Sequence, residues 1–193
     1  MRRLIVVILF LLPAGCFAQQ KLKPGFDGKE YVELLSLAFY SKINLDSMPG
    51  YKAAHSYRLV YRSEEMGLAN RWTFYLRDDE VGIIDIRGTV NKTASWLANF
   101  YAAMVPAKGS LQLNDTSVFE YQLATDERAT VHVGWTIAMA YLGPDIIEKI
   151  NENYSKKNLK EYIVTGHSQG GALAFLIRSY LEYQMKKGSL PPN

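Results

Sequence analysis

The chain is poor in the residues that mark the commoner special cases. Of its 193 residues one is cysteine, Cys16, three are histidine, and the formal charge is only +3. Cys16 lies inside the leader set out below, so once that leader is cleaved no disulfide can form. Arg2 and Arg3 belong to the same leader. Without them bases and acids nearly balance, which gives no reason to expect a nucleic acid or an acidic partner. The sequence has no internal repeat and no low-complexity tract, and past the leader no run is long and apolar enough to cross a bilayer. Nor is it biased towards disorder: 48% of residues are hydrophobic and 21% charged, enough for one sizeable core and one domain.

The opening segment, MRRLIVVILFLLPAGCFAQQ, has a basic start, an apolar run from Leu4 to Leu12, a Pro13-Ala14-Gly15 break and a small-residue site at Cys16-Phe17-Ala18. That is the pattern of a secretory signal peptide. Cleavage is expected after Ala18, making 1–18 the leader and 19–193 the domain, and placing the product outside the cell or in the periplasm. A competing reading makes Cys16 the lipidated first residue of an outer-membrane lipoprotein, because Gly15-Cys16 suits that processing site; Pro13 and the position of Leu12 speak against it.

Asp27 followed by Glu30 has the spacing of an N-cap and its N3 partner, and the apolar positions Tyr31, Leu34, Leu35, Ala38 and Phe39 predict a helix to about Ile43. After the Met48-Pro49-Gly50 break, strands are expected at Tyr57 to Arg62, Trp72 to Leu76 and Val81 to Arg87. The polar turn Arg77 to Glu80 makes the last two a hairpin. A short helix is expected from Trp96 to Met104, then strands at Val118 to Ala124 and Thr130 to Val133. A long helical stretch from Trp135 to Asn153 should kink at Gly143-Pro144. A short strand, Tyr162 to Thr165, and a helix, Gly170 to Lys186, close the pattern. Strands alternating with helices, the late strands too apolar to face water, argue an α/β fold with helices on both faces of the sheet.

Between that last strand and helix stands Gly166-His167-Ser168-Gln169-Gly170. A lone Gly-x-Ser-x-Gly is weak evidence, but this one sits at a strand-to-helix junction. A serine forced into so sharp a turn needs tiny residues two positions to either side, since side chains there would collide with the crossing strand and helix. Gly166 and Gly170 meet that need. Gly171 and Ala174 let the helix approach the sheet, and the helix N-terminus presents N–H groups and partial positive charge where an oxyanion would develop.

The chain from about Asp27 onward resembles the first part of a class 3, fungal lipase-like α/β-hydrolase. The likeness rests on the opening helix; on Ile84-Asp85-Ile86-Arg87-Gly88-Thr89 followed by Trp96; on Val131-His132-Val133-Gly134-Trp135; and on Val164 to Ala174 around the serine. The resemblance implies a mostly parallel α/β-hydrolase sheet, here ending after the nucleophile helix, with Ser168 as nucleophile on an elbow of Gly166, His167 and Gly170. It implies an oxyanion hole from the Gln169 N–H and from Thr89, and a lid region over Val90 to Ala103 with Trp96 as its aromatic. Gln169 stands where leucine is commoner. The implied reaction is hydrolysis of an acyl ester or lipid, with transient contact at a lipid surface and no metal or organic cofactor.

Serine needs a base, and the base an acid. In α/β-hydrolases the chain order is Ser, then Asp or Glu, then His, but after Ser168 there is no histidine and one carboxylate, Glu182. On the helix that begins at Gly170, Glu182 would stand about 21 Å along the axis from the serine, at about 1.5 Å per residue. Of the upstream histidines, His167 adjoins the serine, His132 reads as a hydrogen-bonded core residue, and His55 sits in a loop. The expectation is a secreted serine ester hydrolase, a triacylglycerol lipase or carboxylesterase, represented by a partial chain. The alternative is a non-catalytic lipid-binding or interaction module derived from the same fold.

Overall fold

A computed structural model of the chain describes residues 21–38 and 55–191. The leader with Cys16, the end of the first helix past Ala38, the Met48-Pro49-Gly50 break and Asn193 lie outside the described residues.

Helix α1 spans Gly28–Ala38. Asp27 caps it, its Oδ1 accepting from the N–H groups of Lys29 at 2.8 Å and Glu30 at 3.2 Å. Glu30 does not complete a capping box. Its carboxylate pairs instead with the Arg77 guanidinium, because that cation is buried and an ion pair there outweighs one N–H contact at an exposed helix end.

Three antiparallel-linked strands follow: β1 (Tyr57–Arg62), β2 (Trp72–Arg77) and β3 (Gly82–Ile86). The β2–β3 turn closes where Glu80 N–H donates to Arg77 O at 2.9 Å, with Glu80 at φ 63°. Next come α2 (Thr93–Phe100), β4 (Met104–Pro106), β5 (Lys108–Asn114), β6 (Ser117–Gln122) and β7 (Thr130–His132). Helix α3 (Val133–Lys157), strand β8 (Tyr162–Gly166) and helix α4 (Gln169–Lys186) complete the chain. Helix α2 thus starts ahead of Trp96, and Met104 belongs to a strand. Strand β5 has no counterpart in the sequence reading, and α3 runs unbroken through Pro144.

The main sheet has the order β1-β2-β3-β8. The α/β layering is as expected, but the parallel character of the sheet is confined to β3–β8; β1–β2 and β2–β3 are antiparallel. Connection length decides this. The short turn 78–81 can join only antiparallel neighbours, whereas α2 and α3 lie between β3 and β8 and supply the crossover that a parallel pair needs. Strand β8 is the edge of the described sheet and is half-buried along its length.

Alternation along the strands divides two cores. Trp72, Phe74, Ile84 and Ile86 face α3 and α4, meeting Met139, Leu142, Ile146, Leu173 and Ile177. Tyr75, Val81 and Ile83 face the other way, onto Leu37 of α1. Covered on both sides, β3 is buried at every position. Each fully buried Leu or Ile in the larger core contributes about 1.5–3 kcal/mol. Among the described residues no helix is long and apolar enough to cross a membrane.

Candidate active site

Ser168 is the N-cap of α4, one residue past His167 on the turn that leaves β8. Its backbone sits at φ 58° and ψ −125°, a region that residues bearing a side chain rarely occupy and that costs free energy to hold. The side chain is exposed. The glycines around it explain how the turn closes. A Cβ on Gly166 would stand 2.5 Å from the Gly170 carbonyl and 2.7 Å from Ile86 O, and one on Gly170 would overlap that same Ile86 oxygen. Strand end, turn and helix start therefore share one small volume, as the Gly-x-Ser-x-Gly spacing requires.

Because β3 and β8 are parallel, with Ile86 opposite Gly166, the segment leaving β3 emerges beside the serine. Gly88 packs on the turn: a Cβ there would lie 2.6 Å from His167 O and 3.5 Å from Ser168 Cβ. Arg87 anchors the segment, its Nη2 donating to Glu65 Oε2 at 2.9 Å and to Ala69 O at 2.8 Å. The next residue is Thr89. Its Oγ1 accepts from Asn99 Nδ2 at 2.9 Å and donates to Gln169 Oε1 at 3.3 Å. Asn99 is held in turn by Trp135, whose Nε1–H donates to Asn99 Oδ1 at 3.1 Å. Gln169 is buried, and its Nε2 has no hydrogen-bond partner. As the first residue of α4, Gln169 carries a backbone N–H without an intrahelical acceptor, at the positive end of the helix dipole. Thr89 thus converges with Ser168 and Gln169, which follow it by 79 and 80 positions in sequence. Sequence reading missed Asn99, a polar residue in an otherwise ordinary amphipathic helix that only the fold brings to Thr89.

The family model described as lipase (class 3) matches residues 83–191. The chain belongs to the class 3 lipase family. Its fold is similar to that of a fungal lipase solved with an inhibitor as a model for interfacial activation, with a TM-score of 0.57 and 17% identity. It is likewise similar to a triacylglycerol lipase whose catalytic centre is a serine protease triad, with a TM-score of 0.51 and 17% identity. Each match covers 86% of this chain and 59% of the other. The Rhizomucor miehei lipase in complex with its propeptide gives a TM-score of 0.51 at 18% identity, over 84% of this chain and 50% of that one. At such identities the likeness is one of fold, and the chain spans little more than half the length of these lipases. No curated protein matches it in sequence.

The remaining singled-out residues of this class 3 lipase-family chain lie around that centre or away from it. Trp96 is on α2, 47% exposed, with its ring stacked on Phe100 at 5.8 Å between centroids. Together with Leu97, Phe100 and Tyr101 it gives α2 an exposed apolar face. His132 caps α3. Its Nδ1 accepts from Trp135 N–H at 3.3 Å, and its Nε2 meets Asn99 O at 3.1 Å. An N–H can only donate and a carbonyl only accept, so in this arrangement Nε2 donates and Nδ1 accepts, and both nitrogens are occupied. The reading of His132 as a hydrogen-bonded structural histidine therefore holds. His167 is exposed and has a contact of its own. His55 bonds Asp78 at 3.1 Å beside the β2–β3 turn, at the opposite end of the sheet from Ser168. His55, Asp78 and Asp79 bring metal-ligating atoms within 4.8 Å of one another. The Arg77 guanidinium grips Asp79, and Ser56 donates to Asp78. Glu182 pairs with Arg178 far along α4.

Asp85 interrupts the apolar run of β3, is 7% exposed, and has an Oδ1 without a hydrogen-bond partner. Burial pushes its carboxyl up to about 7, against the nearby charge of Arg62.

Proposed function

We propose that the chain is part of an exported serine ester hydrolase acting on acyl esters or lipids, with Ser168 as the nucleophile. The carrying observation is the backbone of Ser168, held at φ 58° between two glycines that tolerate no side chain. Strain of this kind persists only where surrounding structure over-determines it, and it concentrates at functional sites. The Ser168 Oγ would bond to the ester carbonyl carbon while its proton passes to a base. The carbonyl π electrons move onto oxygen, where the Gln169 N–H and the Thr89 hydroxyl stabilise them. Collapse of that intermediate expels the alcohol, which takes the proton, and water then releases the acid by the same two steps. The apolar face of α2, with Trp96 at its centre, supports a substrate that meets the protein at a lipid surface. The amino-terminal leader supports export.

The base and its acid are proposed to come from outside the described residues, because both nitrogens of His132 are engaged and His55 lies at the other end of the sheet. Coding DNA read past Asn193 should continue in frame with a further Asp and then a His, and the product should hydrolyse a p-nitrophenyl ester, with Ser168→Ala inactive. A genuine stop after Asn193, together with no fluorophosphonate labelling of Ser168, would overturn the enzyme and leave a lipid-binding module on the same fold.

A further inference from the structure

Thr89 has one hydroxyl proton, and its neighbours decide where that proton goes. The Trp135 indole N–H can only donate, and it donates to Asn99 Oδ1 at 3.1 Å. This fixes the Asn99 amide with Nδ2 towards Thr89, so Oγ1 of Thr89 must accept from Asn99, at 2.9 Å. One lone pair and the proton remain. Both are under the control of the Gln169 carboxamide, whose Oε1 lies 3.3 Å from Oγ1. With Oε1 there, the proton of Thr89 is drawn to Gln169 and away from any oxyanion, while Nε2 is buried with no acceptor. A half-turn of the terminal amide exchanges the two atoms without moving another group. Nε2 then donates to the last lone pair of Thr89, the orphaned donor is satisfied, and the hydroxyl proton is free to point at substrate. The cost is one under-used carbonyl oxygen, which proteins tolerate better than a buried N–H without a partner.

We propose that the side chain of Gln169 is a positioning group that sets the direction of the Thr89 hydroxyl, with Nε2 turned to Thr89 Oγ1 in the competent protein. The inference rests on the reading of Thr89 as an oxyanion donor and adds to the Gln169 backbone N–H a second role for that residue, in which its side chain acts through Thr89 and touches no substrate. Nothing but the Thr89 contact holds the carboxamide among the hydrogen bonds described for it, so a single rotation turns the hydroxyl donor on or off.

Two measurements on the full in-frame product, read past Asn193, test this separately from the reaction. The first follows the side-chain NH2 resonances of Gln169 by nitrogen-15 NMR. They should move when Thr89→Val removes their acceptor; resonances that stay in place overturn the proposal, whatever the protein catalyses. The second compares the rate of fluorophosphonate labelling at Ser168 in Thr89→Val, Gln169→Leu and the double variant. Thr89→Val should slow labelling about 10²-fold, as loss of one oxyanion donor does. Gln169→Leu should slow it about tenfold, the worth of a neutral hydrogen bond, and the double variant should be no slower than Thr89→Val alone. Effects that multiply, or an unchanged rate in Gln169→Leu, overturn the proposal. Labelling that survives Ser168→Ala, or that occurs in no variant, sinks the hydrolase reading, and the resonances still decide the orientation of the amide.

Discussion

Replacing Asp85 by asparagine should stabilise the protein in a manner that depends on pH. Asp85 sits one residue from the end of β3, 7% exposed, with one carboxyl oxygen lacking a partner. Burial raises its carboxyl from the ordinary 3.8 to about 7, and the positive charge of Arg62 offsets only part of that rise. The folded protein therefore holds this proton more tightly than the unfolded chain does. Below about pH 4 both states are protonated, and stability is at its full value. As the pH climbs the unfolded chain gives up the proton first, and stability falls by about 1.4 kcal/mol per pH unit. The loss levels off once the pH passes the folded value of about 7. Over that span it amounts to about 4 kcal/mol, an upper figure, since a buried charge relaxes its surroundings. The Asp85→Asn variant keeps the shape and loses the charge. It should match the parent at pH 4 and be more stable at pH 8, by up to about 16 °C in Tm at 2–4 °C per kcal/mol. Thermal unfolding of both proteins followed by circular dichroism at pH 4, 6 and 8 measures the difference. An equal shift at all three pH values, or a variant less stable at pH 8, would refute the reasoning.

Three further outcomes follow from packing. Gly170→Ala places a methyl group against the Ile86 carbonyl, where no rotamer can relieve it; the strand-helix crossing should open, with Tm lowered and Ser168 no longer labelled, whereas Gly188→Ala, which meets no neighbour, should lose only a fraction of that stability. His132→Ala removes the α3 N-cap and should cost about 1 kcal/mol in urea unfolding, most of it recovered by His132→Asn; equal losses in both variants would contradict the capping role. Arg77→Met leaves the carboxylates of Glu30 and Asp79 without their buried cation and should cost about 3–5 kcal/mol, with amide exchange faster in α1 than in α4; uniform acceleration would argue against a local anchor.

The parts of this fold that were legible in sequence are those whose cause is local. The cap at Asp27, the polar turn at 77–80 and the glycines around Ser168 each answer a steric or hydrogen-bonding need within a few residues. The parts that were not legible depend on contacts across the chain. Strand β5 is exposed at most positions, so its Lys-Gly-Ser start carries no alternation, and only its partner β6 shows that it is a strand. Helix α2 starts early because Ser95 and Ala98 are buried, small residues that a search for apolar periodicity passes over. Pro144 does not interrupt α3 because Gly143, Ala140 and Ile146 beside it are buried between the sheet and α4, and that packing outweighs one missing N–H donor. Half of the candidate site divides the same way: the elbow is written in five consecutive residues, while Asn99 and Trp135 reach Thr89 only through the fold.

The two glycines of the elbow also bear on how this sequence can drift. Gly166 is walled in by main-chain atoms of Gly170 and Ile86, and Gly170 by those of Ile86 and Arg87. No second substitution can move a backbone oxygen out of the way. Gly82 and Gly143 are confined instead by rings, those of Tyr162 and Phe74 at Gly82 and that of Tyr180 at Gly143, and smaller residues in place of the rings would make room. A lineage can therefore exchange the latter pair one compensated step at a time, while the elbow admits no such path and survives unchanged or is lost whole.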